Sequence, residues 1–192
     1  MKRVKLTVAY DGTNYCGWQV QPNGLAVQEV LNRCLSELLK TKIEVIGASR
    51  TDAGVHALGN VAVFDTEARM PAEKFSYALN TRLPQDIRIQ NSCQVPDDFH
   101  PRFQETVKTY EYKIYNRKFP DPTKRLYTYF YYYPPEHVKE ILEGKNRELA
   151  GETARPEGLT LVEIRYPEWE AKKDGHLVSV DPLPQKDDYY SD

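Results

Sequence analysis

Gly47-Ala48-Ser49-Arg50-Thr51-Asp52-Ala53-Gly54-Val55-His56-Ala57 is the stretch on which the fold and its chemistry turn. It lies between two short β-branched runs, Ile43 to Ile46 and Asn60 to Phe64, so it reads as a loop carried between two strands. A rigid scaffold of that kind can present polar side chains to a substrate. The loop sets a carboxylate two residues after a guanidinium and four residues before an imidazole, with Gly54 permitting a sharp backbone turn. Spacing alone leaves alternatives open. Asp52 can be a turn residue that caps a neighbouring amide while Arg50 neutralises it. Asp52 and His56 can also be read as an acid/base pair, though nothing else in the sequence supports that.

Working outward, Val4, Leu6 and Val8 alternate with Lys5 and Thr7 as a half-buried strand that stops at Asp11-Gly12. Thr13 to Gly24 reads as a long loop around Tyr15, Trp18 and Gln19. From Val27 to Leu39 the apolar positions Val27, Val30, Leu31, Cys34, Leu35, Leu38 and Leu39 have the spacing of an amphipathic helix. Pro71 opens a second helix through Phe75, Ala78 and Leu79, with Pro84 marking its end. Ile87 to Val95, Val107 to Tyr115 and the aromatic run Tyr127 to Tyr133 read as further strands. A helix is expected over about Glu136 to Ala150, then a last strand from Leu159 to Tyr166. The charged, Pro-containing stretch 167–192 reads as a flexible tail.

The 192 residues are 40% apolar and 28% charged, which excludes collagenous and disordered classes. No apolar run approaches the roughly 18 to 20 residues that span a bilayer, and a cytoplasmic protein with no membrane association is expected. Cys16, Cys34 and Cys93 have no paired spacing, and the four histidines are far apart, so neither a disulfide framework nor a metal site is expected. Residues 1–120 carry 16 Lys+Arg against 13 Asp+Glu, a balance of +3, and residues 121–192 carry 10 against 15, a balance of -5. Only the first part can offer a basic face to a polyanion.

The string Arg50-Thr51-Asp52-Ala53-Gly54-Val55-His56-Ala57 closely resembles the active-site motif of the tRNA pseudouridine synthase A family. Tyr10-Asp11-Gly12, Gly17-Trp18-Gln19, Asn80 with Leu83-Pro84, Asp97-Asp98-Phe99-His100, Arg102-Phe103 and Lys108-Thr109-Tyr110-Glu111-Tyr112 resemble further family blocks, in the family's order. The resemblance runs from residue 4 to about 133 and again from Pro135 to Tyr166. Ser49 is a departure, standing where the family most often has glycine.

What the resemblance implies is isomerisation of uridine to pseudouridine in the anticodon stem-loop of tRNA, with no cofactor and no metal. Asp52 would be the catalytic nucleophile, since an aspartate side chain is ordinarily ionised at neutral pH. Tyr110 would stack on the target base and Arg50 would hold the flipped nucleotide. Trp18, Gln19, His56 and Lys108 are weaker candidate RNA contacts. The implied fold is α+β, a mostly antiparallel sheet with flanking helices in two lobes, and the implied assembly is a homodimer. The expected division is an N-terminal α/β lobe over residues 1–105 with the catalytic loop, a shortened C-terminal lobe over 106–166 and the tail. The second lobe is incomplete because Tyr131-Tyr132-Tyr133 runs directly into Pro134-Pro135-Glu136, which resembles a much later family element. Unpaired strand edges and exposed apolar surface are expected to follow.

Overall fold

A computed structural model describes residues 1–134, 153–167 and the isolated positions 136, 139, 143, 144 and 169. The helix expected over 136–150 and the tail expected over 167–192 fall largely outside the described residues.

Alternation in the first strand decides the architecture. In β1 (Lys2–Tyr10) Val4, Leu6, Val8 and Tyr10 are buried, while the intervening residues are only partly covered. β1 lies antiparallel to both β3 (His56–Thr66) and β4 (Ile87–Val95), with Val4 opposite Phe64 and Leu6 opposite Ala62. The outer edge of β3 is shared by two shorter strands. β2 (Ile46–Gly47) pairs antiparallel with Val63 and Ala62, and β8 (Leu159–Arg165) runs parallel to His56 and Ala57. β5 (Val107–Tyr112) pairs antiparallel with β8 and, among the described residues, ends the sheet, whose order is β4-β1-β3-β8-β5. A separate pair, β6 (Ile114–Tyr115) with β7 (Tyr129–Phe130), is parallel.

Two helices supply apolar faces to this sheet. α1 (Val27–Leu39) buries Val27, Val30, Leu31, Cys34 and Leu35, and α2 (Lys74–Asn80) buries Phe75 and Leu79. The Phe75 ring meets Phe64 of β3 edge-on at 5.2 Å. Each such side chain contributes ~1.5–3 kcal/mol through burial. Phe99, Tyr166 and Trp169 form an aromatic cluster against β1, and the Lys5 ammonium sits 4.3 Å from the centre of the Trp169 ring. The chain is therefore α+β with a mostly antiparallel sheet.

Several elements differ from their expected bounds, each for a local reason. Ile43 to Val45 is not strand, because side chains of α1 take its backbone bonds. Ser36 Oγ accepts from the Ile43 N–H at 2.9 Å, Asn32 Oδ1 accepts from the Val45 N–H at 2.8 Å, and Gln28 donates to the Val45 carbonyl at 2.8 Å. The second helix begins at Lys74, whose N–H bonds to the Pro71 carbonyl in the preceding turn. The stretch Val107 to Tyr115 is broken at Lys113, which instead exchanges backbone bonds with Gly158 and Tyr129. Of the aromatic run, only Tyr129–Phe130 is strand.

Candidate active site

The loop between β2 and β3, residues 48–55, carries Arg50 and Asp52 of the expected catalytic segment and is built against the loop that follows β1. The Trp18 N–H donates to the Thr51 carbonyl at 3.0 Å, and the Gly54 N–H donates to the Tyr15 carbonyl at 3.3 Å. The carbonyls of Gly17 and Trp18 then accept from the N–H groups of Val27 and Gln28, closing the start of α1, whose cap Ala26 has no side-chain oxygen to do so. Gly17 makes this close approach feasible. Its φ is +87°, and a Cβ there would stand 2.5 Å from the Thr51 carbonyl oxygen.

Beneath the loop lies a buried polar network centred on Asn60, which is fully buried in β3. Asn60 Oδ1 accepts from the Ser49 N–H at 3.3 Å, and its amide donates to the Ser49 carbonyl at 3.1 Å, so one side chain grips both sides of residue 49. The same amide donates to the Tyr10 hydroxyl at 3.3 Å, and that hydroxyl lies 2.7 Å from Thr51 Oγ1. Burial pushes the Tyr10 phenol up to about 12, against smaller opposing effects of its bonds to Thr51 and Asn60, so it stays protonated.

The consequence is an alternation of inward and outward side chains. Ser49 and Thr51 point into the protein and are buried, whereas Arg50 and Asp52 are exposed. No hydrogen bond reaches the Asp52 carboxylate from any described residue, and Arg50 makes no ion pair among the described residues. The turn-cap reading of Asp52, with Arg50 neutralising it, is therefore not what the geometry shows. Tyr110, half exposed on β5, reaches the same loop. Its hydroxyl lies 3.2 Å from Ser49 Oγ, opposite a bulge in the β5–β8 pairing at Thr109/Tyr110. Its neighbour Tyr112 turns elsewhere, donating to the Arg155 carbonyl at 2.8 Å.

Trp18 and His56, expected as RNA contacts, are both buried. Trp18 is 1% exposed, packed 5.9 Å from the Tyr10 ring and over Gly47, where a Cβ would collide with its indole nitrogen. His56 is 6% exposed, and both ring nitrogens are engaged within the protein. Nδ1 accepts from the Gly12 N–H at 3.1 Å, and Nε2 lies 2.9 Å from the Leu126 carbonyl. Asp11 Oδ1 is 3.2 Å from Nδ1. With no exposed nitrogen, His56 cannot serve Asp52 as an acid/base partner in this conformation. Gln19 and Lys108, by contrast, are exposed.

A cavity of about 370 Å³ opens on the neighbouring end of the sheet, lined by Tyr10, Asp11, His56, Asp86, Arg88 and Tyr127 among others. Arg50, Asp52 and Tyr110 do not line it. Its charged groups are already engaged: Arg88 donates to the carbonyls of Pro84 and Ile87, Asp11 accepts from Tyr127 at 2.7 Å, and Asp86 accepts from Tyr15 at 2.7 Å. The loop is better equipped for chemistry than the cavity. Among the described residues, no group of three or more His, Cys, Asp and Glu side chains is placed to hold a metal ion.

Sequence reading did not single out Asn60 as the brace. The available signal was an amide at the head of the apolar run Val61-Ala62-Val63-Phe64, a position that burial makes costly unless every polar atom is paired.

Fold and site together define an α+β protein that presents an exposed carboxylate and guanidinium on a loop braced from behind. The family described as tRNA pseudouridine synthase matches residues 6–104. The chain belongs to this family. It is 53% identical over 116 residues to a protein named tRNA pseudouridine synthase A from Ruminiclostridium cellulolyticum, covering 60% of this chain and 47% of the relative. A protein of the same name from Acetivibrio thermocellus is 51% identical over 129 residues, 67% of this chain and 53% of the relative. tRNA pseudouridine synthase A 2 of Clostridium perfringens is 45% identical over 143 residues, 74% of this chain and 56% of the relative. The chain thus spans about half the length of the curated relatives it matches.

Proposed function

We propose that this protein converts uridine to pseudouridine in the anticodon stem-loop of tRNA, with Asp52 as the nucleophile. In that reaction the bond from N1 of the base to C1′ of the ribose breaks, the base turns, a bond from C5 to C1′ forms, the C5 proton leaves to water and N1 takes up a proton, so the net change is an isomerisation. Asp52 attacks covalently and is released when the new bond closes, so no external oxidant, reductant or cofactor enters. Arg50 holds the nucleotide once it leaves the stack, Tyr110 packs on the base, and Gln19 and Lys108 lie on the RNA side. The observation that carries this reading is the exposure of Asp52 and Arg50 on a loop whose alternate residues, Ser49 and Thr51, are fixed from behind by Asn60 and Tyr10. A loop held in this way keeps its carboxylate in one place for attack.

The reading includes an N-terminal lobe over 1–105, a shortened C-terminal lobe over 106–166, and a homodimer. Support for the dimer is the open outer edge of β5, which ends the sheet among the described residues and exposes Val107. Sedimentation that finds a stable, folded monomer rejects it.

The test is release of tritium from tRNA carrying 5-tritiated uridine, with the modified positions mapped by primer extension. The proposal expects stoichiometric release confined to the anticodon arm. A second reading is favoured by the direct junction of Tyr133 with Pro134-Pro135, where the resemblance skips to a later family element: an RNA-binding remnant that has kept the loop and lost turnover. Tight tRNA binding with no release would support the remnant and overturn the enzyme.

A further inference from the structure

Three features invite a further role: the polar cavity beside His56, the exposed Phe103 ring stacked on His100, and the hydroxyl of Ser49. The cavity's charged groups are already engaged within the protein, and His100 is the only ring found against Phe103 among the described residues. Ser49 differs from both, because it joins the buried brace to a side chain of the site.

Ser49 is 5% exposed, so its small side chain has few directions open to it. Its own position is fixed on both sides, by the Asn60 carbonyl at its N–H and the Asn60 amide at its carbonyl. Its hydroxyl meets the Tyr110 hydroxyl at 3.2 Å, across a sequence separation of 61 residues. Tyr110, 47% exposed on an edge strand, sits beside a bulge that leaves the local pairing irregular. An exposed tyrosine on such a strand explores several rotamers unless its far end is tied.

We propose that Ser49 is a positioning residue for Tyr110, a tether through which the Asn60 brace sets where the Tyr110 ring stands above the Asp52 loop. Glycine at position 49 would leave the loop backbone in place and the ring untethered. The inference rests on the proposed function, since it assigns Tyr110 a place against the base.

The test uses the full chain and four proteins: wild type, Ser49→Ala, Tyr110→Phe and Asp52→Asn. In protein labelled with 3-fluorotyrosine, the fluorine resonance of Tyr110 is identified by its loss in Tyr110→Phe. Ser49→Ala is expected to move that resonance and leave those of Tyr10 and Tyr15 unchanged. In tritium release, Ser49→Ala is expected to lower turnover ~3- to 10-fold, with tRNA affinity within ~2-fold of wild type, the loss of one hydrogen bond. An unmoved Tyr110 resonance overturns the tether. So does unchanged turnover in Ser49→Ala while Asp52→Asn is inactive, and that result leaves the proposed function standing. A fall in turnover matched by a fall in melting temperature and a shift of many tyrosine resonances assigns Ser49 to structure alone. Equal release by wild type and Asp52→Asn removes the proposed function, and this inference with it.

Discussion

The loop at residues 48–55 and the tyrosine-rich strands β5 to β7 face the same region of the molecule but are held in opposite ways. The loop is gripped from below by Asn60 and Tyr10 and from the side by the backbone of Tyr15 and Trp18, all buried. β5 lies at the sheet's end with Val107 and Tyr110 exposed, and Ile114 of β6 is 49% exposed. The difference teaches where this fold spends its rigidity. Polar network and close backbone approach are concentrated under Arg50 and Asp52, while the aromatic side is left to be positioned by single contacts such as Ser49 to Tyr110.

The contrast can be broken most forcefully at Gly17. Gly17→Ala would force a side chain into the left-handed region and into the Thr51 carbonyl, and is expected to destabilise by ~3 kcal/mol or more in urea unfolding. Asn60→Ala is expected to cost ~2–3 kcal/mol, since it leaves buried polar groups of Ser49 unpaired.

A smaller effect is expected at Asp65. Arg3 donates to both its carboxylate oxygens, at 2.8 and 2.7 Å, and that bonding holds the carboxyl below its ordinary value of 3.8 against a lesser opposing effect of burial. A depressed folded pKa contributes stability above the unfolded value and loses it as pH falls through the folded one. Asp65→Asn is therefore expected to cost ~1 kcal/mol near neutrality, in a half-exposed setting. Unfolding measured against pH should show that gap closing below 3.8. Least of all, Ile114→Thr on the exposed side is expected to change stability by under ~0.5 kcal/mol. A large effect there would erase the contrast between the two regions.

Much of this was legible in the sequence. The alternation in β1 and the 3.6-residue spacing in α1 gave elements at their observed places, because both follow from burying one face. The polar loop between two apolar runs was also visible. Bounds failed where side chains took over backbone partners, as Asn32 and Ser36 do for Val45 and Ile43, since such pairing depends on contacts between elements. The burial of Trp18 and His56 was hidden for the same reason. Each is chemically suited to RNA, and only the packing of the loop after β1 against residues 51–56 turns them inward.

The role of Asp52 is measured by single-turnover tritium release by Asp52→Asn beside wild type, on the same tRNA and with tRNA affinity measured in parallel. Asp52 lies exposed on a loop braced from below and takes no hydrogen bond from any described residue, so the change to asparagine should leave fold and binding intact. Unaltered tRNA affinity is expected, with a loss of release of roughly 10⁴-fold or more, the scale of a deleted nucleophile. Release by Asp52→Asn within ~10-fold of wild type would contradict that role, because an amide cannot replace an attacking carboxylate at that rate.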